Sequence, residues 1–507
     1  MGRIKDIQFW LFRYSGTGRP CKAMAIIGVS VLLMICMKLQ AAIILPQVLG
    51  NNMVLQCKKP VAIWGTGTAG ETVKVRFRGQ EKSIRIDGNG HWILYLDPMQ
   101  PSNVPAEMEI KGQTDPVITL HNILTGEVWL CSGQSNMEYT MRKNSKVKKV
   151  TGVPGFEHSP ADELEYAHNP EIRIFLALRK PMAKSHPDHE GWSVAQDSAL
   201  RSFSAAAYFF ARKLYKELKV PIGMISNAIP GSAIEPWLGG QISHWNPRVP
   251  ALTFNYSETG KFYPTLVKPL APFTIKGFLW YQGETNCFMN DSLEYAYKMQ
   301  ALIHQWRTQW SDSNNSLPFY YVQIAPFEYS KNKGNYPLDD GTLPRFWEAQ
   351  TLCLQIPHTG MVVTTDLPDG IGGIHPTGKW AVGERLAAIA LSQDYGKKVT
   401  YSGPLYQHKE IHGDKLWLYF AHIGKGLESK NGQPLDYFEL AGKDQVYYPA
   451  TVAIKRDHLI LSSSKVRSPV SARFAWKEVA QPNFFNKDGF PAVPFRTETP
   501  YGNIHLN

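Results

Sequence analysis

The sequence predicts an α/β protein, a parallel sheet sandwiched by helices, flanked by an N-terminal and a C-terminal β-domain. Three observations predict it. Short β-type runs separated by turns fill residues 43–121; strand-like and helix-like runs then alternate through 122–394; short strands alone return from 395 to 507. Alternation of strand and helix builds a parallel sheet covered by helices, whereas strand-only segments build antiparallel sheets. A chain of 507 residues is too long for one ordinary core, and a multi-domain division suits it.

Residues 1–42 stand apart from this pattern. The run AMAIIGVSVLLMICM, Ala23 to Met37, carries no charge, follows Arg3, Lys5, Arg13, Arg19 and Lys22, and precedes the small residues Ala41 and Ala42. It is shorter than the roughly 20 apolar residues that span a bilayer. The layout is that of a secretory signal peptide, and it predicts a secreted or periplasmic protein with no stable membrane span after cleavage. The segment holds six basic residues and one acid, so the net charge of +11 falls to +6 without it. The remaining basic residues are scattered, and neither zinc-finger spacing nor an RNA-binding aromatic motif is present, which argues against a nucleic-acid partner. Four cysteines remain, Cys57, Cys131, Cys287 and Cys353, with no C-x-x-C pair. They do not make a disulfide scaffold, and their pairing is open.

The elements follow in order. In the first segment VAIWG (61–65), TVKVRF (72–77), SIRIDG (83–88) and HWILYL (91–96) alternate apolar and polar residues between Gly- and Asp-Gly turns. In the second, EVWLC (127–131), IGMISN (222–227), IKGFLWY (275–281), FYYVQIA (319–325) and GMVVTT (360–365) are apolar strands. AAAYFFARKLYKEL (205–218), LEYAYKMQALIHQWRTQW (293–310) and WAVGERLAAIALS (380–392) have helical spacing. In the third, KLWLYF (415–420), ATVAIKR (450–456), HLILSSS (458–464) and SARFAW (471–476) read as strands of a sandwich.

Open parallel sheets bind ligands beyond the C-terminal ends of their strands. Four polar clusters fall there: Ser132 to Met137 after EVWLC, Ala228 to Ser232 after IGMISN, Gln282 to Asn286 after IKGFLWY, and Asp366 to Pro376 after GMVVTT. Serine, histidine, glycine and asparagine gathered in this way suit acyl transfer. Ser135 is the candidate nucleophile and His375 its base. The N–H groups of Ser135 and Gly231 and the side-chain amide of Asn286 are candidate oxyanion-hole donors. Gln282 and Glu284 read as braces of their loop, and Glu235 and Trp237 as either packing or sugar-pocket residues. No histidine shows metal-ligand spacing.

These blocks resemble the SGNH hydrolase superfamily and, within it, the sialate O-acetylesterase family and related carbohydrate acetylesterases. The resemblance rests on Leu45-Pro46, Met53 to Gln56, Gly126 to Met137, Trp280 to Asn286, Ile374 to Pro376, Gly383 to Ala387, Phe438 to Gly442 and Pro494 to Thr497. It implies a serine esterase with no metal and no cofactor that acts on an O-acetylated glycan through an acetyl-serine intermediate. It carries Ser135, His375, Gly231 and Asn286 into their roles. Two departures stand out. Pro230 replaces the first of two glycines usual at the second block, and Gly372 and Gly373 occupy the positions where the family commonly places an aspartate before the histidine. Asp369 is put forward as the acid. Asp366, or a backbone carbonyl serving a Ser–His dyad, are the alternatives. O-acetylated sialic acid is the first expected substrate and acetylated xylan the second. A glycan-binding protein on an inactive esterase scaffold is the non-enzymatic alternative. The oligomeric state is not legible.

Overall fold

A computed structural model describes residues 42–113, 115–177, 191–239, 258–332, 334–370, 372–502 and 504–506. The expected leader, 1–42, lies outside the described residues except for Ala42. The N-terminal strands are β1 (Val54–Gln56), β2 (Val61–Thr66), β3 (Thr72–Phe77), β4 (Gln80–Arg85), β5 (His91–Leu96) and β6 (Ser102–Lys111). The central ones are β7 (Ile118–Gly133), β8 (His168–Leu176), β9 (Trp192–Gln196), β10 (Ile222–Ser226), β11 (Gly277–Tyr281), β12 (Phe319–Val322) and β13 (Thr359–Val362). The central sheet runs β13-β12-β11-β7-β10-β8-β9, parallel except for β9.

Strand β7 is much longer than the five residues its apolar run predicts. Its first half pairs with β6 and β1, and its second half, from Glu127, pairs with β10 and β11. One strand therefore passes unbroken from the N-terminal sheet into the central one. The two environments leave different marks. In β5, strictly alternate residues are buried, as befits a sheet with one wet face. In β10 and β11 every residue is buried, because both faces are covered.

The covering helices are α1 (Ser135–Glu138), α2 (Ala205–Leu218), α3 (Glu284–Phe288), α4 (Leu293–Gln309), α5 (Thr342–Leu352) and α6 (Lys379–Gln393). Trp129, Cys131, Leu279 and Tyr281 pack under α2 and α6, while Val128, Leu130, Phe278 and Trp280 face the core of α4 and α5. The period of two along β7 and β11 thus sorts side chains between two layers. Gly383 lets α6 lie close on α2, since a Cβ there would sit 2.5 Å from Ala206 O. Among the described residues no helix is long and apolar enough to cross a membrane.

Beyond α6 the chain forms antiparallel sheets. Strands at Leu405–His412, Lys415–Ala421, His458–Ser462 and Thr451–Ile454 make one four-stranded sheet. Strands at Tyr447–Pro449, Phe438–Ala441, Ser471–Phe474 and Phe495–Arg496 make another. Leu418, Leu440, Leu459, Phe474 and Phe484 form the core of this C-terminal region. The four cysteines from Cys57 to Cys353 are buried free thiols.

The junction of sheets makes a testable demand at Gly126. A Cβ there would lie 1.9 Å from Pro221 O, whereas a Cβ at Gly88 would meet nothing within 4 Å. Gly126→Ala is expected to lower unfolding free energy by more than about 3 kcal/mol, and Gly88→Ala to stay within about 0.5 kcal/mol. Urea denaturation followed by tryptophan fluorescence measures both.

Candidate active site

The site forms where β7, β10, β11 and β13 end. Strand β7 finishes at Gly133, whose φ of +134° and closeness to β11 exclude a side chain: a Cβ would fall 2.2 Å from Tyr281 O. The chain then turns sharply into α1. Gln134, nearly fully buried, fixes that turn. Its N–H donates to Tyr281 O, and its Oε1 accepts from Gln282 Nε2 at 3.1 Å and from the N–H groups of Gly283 and Thr285. The loop after β10 joins the same point, with Ile229 N–H donating to Gly133 O at 3.0 Å. Thr285 Oγ1 donates to Gly231 O at 3.1 Å, closing the ring of three loops.

Ser135 opens α1 and His375 reaches it from the loop after β13. His375 Nε2 lies 2.8 Å from Ser135 Oγ, within a hydrogen bond, although 240 residues separate them. The imidazole is held below its ordinary basicity, first by desolvation, then by the cations of Lys379 and Lys143, with Glu138 opposing.

Asp369 is not placed as expected. Its Oδ2 accepts from the Thr377 N–H at 2.8 Å, and it makes no hydrogen bond to His375. Asp366 is taken up elsewhere in a bidentate pair with Arg385, at 2.8 and 2.6 Å. Both aspartates are spent on the loop that carries the histidine. Among the described residues, no carboxylate is hydrogen-bonded to His375.

Gly231 has φ +71° and open space where a Cβ would stand, and its N–H has no acceptor among the described residues. Asn286 departs from expectation. It is fully buried; its Oδ1 accepts from Ile234 N–H and Gln282 Nε2, and its Nδ2 donates to Asp291 Oδ2 at 2.8 Å and to Glu235. Lys298 Nζ donates to the same two carboxylates at 2.6 Å. An amide with both protons committed below the surface is not an oxyanion donor. It is the hub of a buried ion cluster that holds the β10 and β11 loops together. Glu235 belongs to that cluster, and Trp237 packs edge-on against Trp280, Trp306 and Phe262, so neither lines a sugar pocket.

Three further residues gather behind Ser135. Asn136, fully buried, donates from Nδ2 to Glu284 Oε1 at 2.5 Å and to Ile374 O at 3.0 Å. Its Oδ1 accepts from Lys379 Nζ at 2.9 Å, and Lys379 also donates to Pro376 O. Burial pushes the Lys379 ammonium down to about 7, against the charges of Glu284 and Asp369. Burial likewise pushes the Glu284 carboxyl up. Lys379 stands at i+4 from His375 on the first position of α6, a spacing that reads from sequence only as a surface lysine.

Residues 125–392 match the family described as carbohydrate esterase, sialic acid-specific acetylesterase. The sialate O-acetylesterases of Homo sapiens and Pongo abelii are each 30% identical over 497 residues, covering 88% of this chain and 91% of theirs. The chain belongs to this esterase family. Its members are carboxylic ester hydrolases, and so is this protein. A solved carbohydrate acetylesterase from Xanthomonas citri has the same fold, with a TM-score of 0.78 at 30% identity over 90% of this chain and 100% of that one.

In this esterase Asn286→Ala would leave the Ile234 N–H without its acceptor and take one donor each from Glu235 and Asp291, which would keep only Lys298. It is expected to lower stability by about 2 kcal/mol or more. The folded fraction should escape the roughly 100-fold loss of kcat that removal of an oxyanion donor brings. Denaturation midpoints and active-site-normalised kcat distinguish the two roles.

Proposed function

We propose that the protein is an exported serine esterase that removes O-acetyl groups from carbohydrate, with O-acetylated sialic acid as the first substrate. The observation that carries this is the 2.8 Å contact between His375 Nε2 and Ser135 Oγ, at the C-terminal edge of a parallel sheet. The names of the curated relatives support sialic acid as the sugar. The leader-like residues 1–42 support export. Residues 122–394 then carry the reaction, with 43–121 and 395–507 as flanking β-domains.

Ser135 Oγ attacks the acetyl carbonyl carbon while His375 Nε2 takes its proton. The oxyanion forms against the N–H groups of Ser135 and Gly231, which are fixed in place before the substrate arrives. The C–O bond to the sugar breaks, and His375 returns the proton to the departing hydroxyl. Water activated by the same imidazole then attacks acetyl-Ser135, releasing acetate and free serine. Asp369 and Asp366 stiffen the histidine loop in this scheme, through Thr377 and Arg385.

A second substrate reading, another acetylated carbohydrate such as xylan, draws on the likeness to the Xanthomonas citri carbohydrate acetylesterase. Parallel assays on O-acetylated sialic acid and acetylated xylan choose between them. With an acetyl ester of a chromogenic alcohol, Ser135→Ala should lower kcat at least about 1,000-fold. Equal turnover by wild type and variant would leave only the non-catalytic glycan-binding reading. The base acts as neutral imidazole, and desolvation with the nearby lysines makes its protonation harder. Activity should therefore persist to lower pH than an ordinary histidine of pKa about 6.5 allows, read as the acid limb of kcat/KM.

A further inference from the structure

His375 sits on a loop that must travel from β13, at the edge of the sheet, to Ser135 on central β7. Something has to hold it there. The two residues flanking the histidine are gripped by their backbone carbonyls. Asn136 Nδ2 donates to Ile374 O at 3.0 Å, and Lys379 Nζ donates to Pro376 O. The two gripping side chains are joined to each other through Lys379 Nζ and Asn136 Oδ1, 2.9 Å apart. Both are fully buried, and Asn136 is the residue next to the nucleophile. Glu284 Oε1 accepts from Asn136 at 2.5 Å and fixes the amide from the β11 side. The ammonium also lies over the rings of Tyr139, 4.8 Å away, and Tyr281, 5.5 Å away.

We propose that Lys379, through Asn136 and the carbonyls of Ile374 and Pro376, is the positioning residue that keeps His375 in register with Ser135. This rests on the assignment of Ser135 and His375 as nucleophile and base. The clamp works on the backbone either side of the ring, so it fixes the imidazole without touching it. It also places a cation near the base. The charged groups facing His375 are Lys379 from α6, Lys143 from the segment after α1, and Glu138 from α1; those facing Lys379 are Glu284, Asp369 and Lys143. A protonated Lys379 opposes protonation of the histidine. Its own titration at about 7 means that the cation is present in the range where His375 titrates.

The test is kcat, KM and the pH profile for the chromogenic acetyl ester, with Ser135→Ala alongside. Lys379→Met removes donor and charge. It should lower kcat by about 100-fold with KM within about twofold, as a misplaced base does. Its acid limb should move to higher pH. Lys379→Gln keeps a donor toward Pro376 O without charge, so it should recover at least about tenfold of the lost kcat while its acid limb stays displaced. A cooperatively melting Lys379→Met with kcat within about twofold of wild type and an unmoved limb would overturn the proposal. Should both variants fail to fold, Lys379→Arg, which keeps donors and charge on a differently shaped head, decides: a kcat lowered by about tenfold or more with KM within about twofold supports the clamp, and an unchanged kcat refutes it. An inactive Ser135→Ala beside an unaffected Lys379→Met sinks the clamp alone, whereas an active Ser135→Ala sinks the esterase assignment itself.

Discussion

Asn136 has no exposed surface, and its amide stands between two groups that burial drives toward neutrality. An isolated charge in such a place would be expensive, by several kcal/mol even after relaxation. The amide relieves both neighbours at once, donating one N–H hydrogen bond to the Glu284 carboxyl and accepting one from the Lys379 ammonium on its carbonyl oxygen. A primary amide carries donor and acceptor on one rigid plane without a charge of its own. Aspartate would repel Glu284, and leucine would strand both partners. The approach of His375 to Ser135 depends on that bridge, because Ser135 precedes it and the His375 loop hangs from it.

The second constraint is β7. One strand serves as edge partner for the N-terminal sheet and as the centre of the parallel sheet, and it ends at Gly133, two residues before Ser135. Glycines at the points of closest approach, Gly126 against Pro221 and Gly133 against Tyr281, let neighbouring backbones touch there. Buried polar side chains then tie the loops: Gln134 to the β11 loop, and Asn286 with Lys298 between the β10 and β11 loops. The site is therefore built on rigid strand ends and stitched from beneath, which suits chemistry that needs fixed donors.

Much of this was legible in the sequence, for physical reasons. The helix at Ala205–Leu218 and the strands at Thr72–Phe77 and His91–Leu96 coincide with their apolar runs, because local period and tertiary burial agree there. The meeting of Ser135 and His375 was legible because both follow apolar strands of one parallel sheet. The true length of β7 was not, since its first half is only partly buried and carries no continuous apolar run. The helix at Thr342–Leu352 was masked by Pro344, which reads as a breaker but is tolerated in a first turn. Asn286 and Asp369 were misread for a common reason. Residue type and loop position say that a polar group is available, and only coordinates show where its protons and lone pairs go. Lys379 escaped because burial of a lysine leaves no mark in its neighbours' composition.

The cysteines carry a last consequence. Cys57 Sγ donates to Glu127 Oε1 at 3.1 Å, and Cys131 Sγ donates to Ile225 O at the same distance. Burial pushes both thiols up to about 12 and the remaining two further from ionisation. The thiolate is the reactive form, and here it is suppressed fourfold over. None of the four is bridged. Among the described residues the fold therefore holds together by packing and buried hydrogen bonds, with no covalent cross-link between its layers.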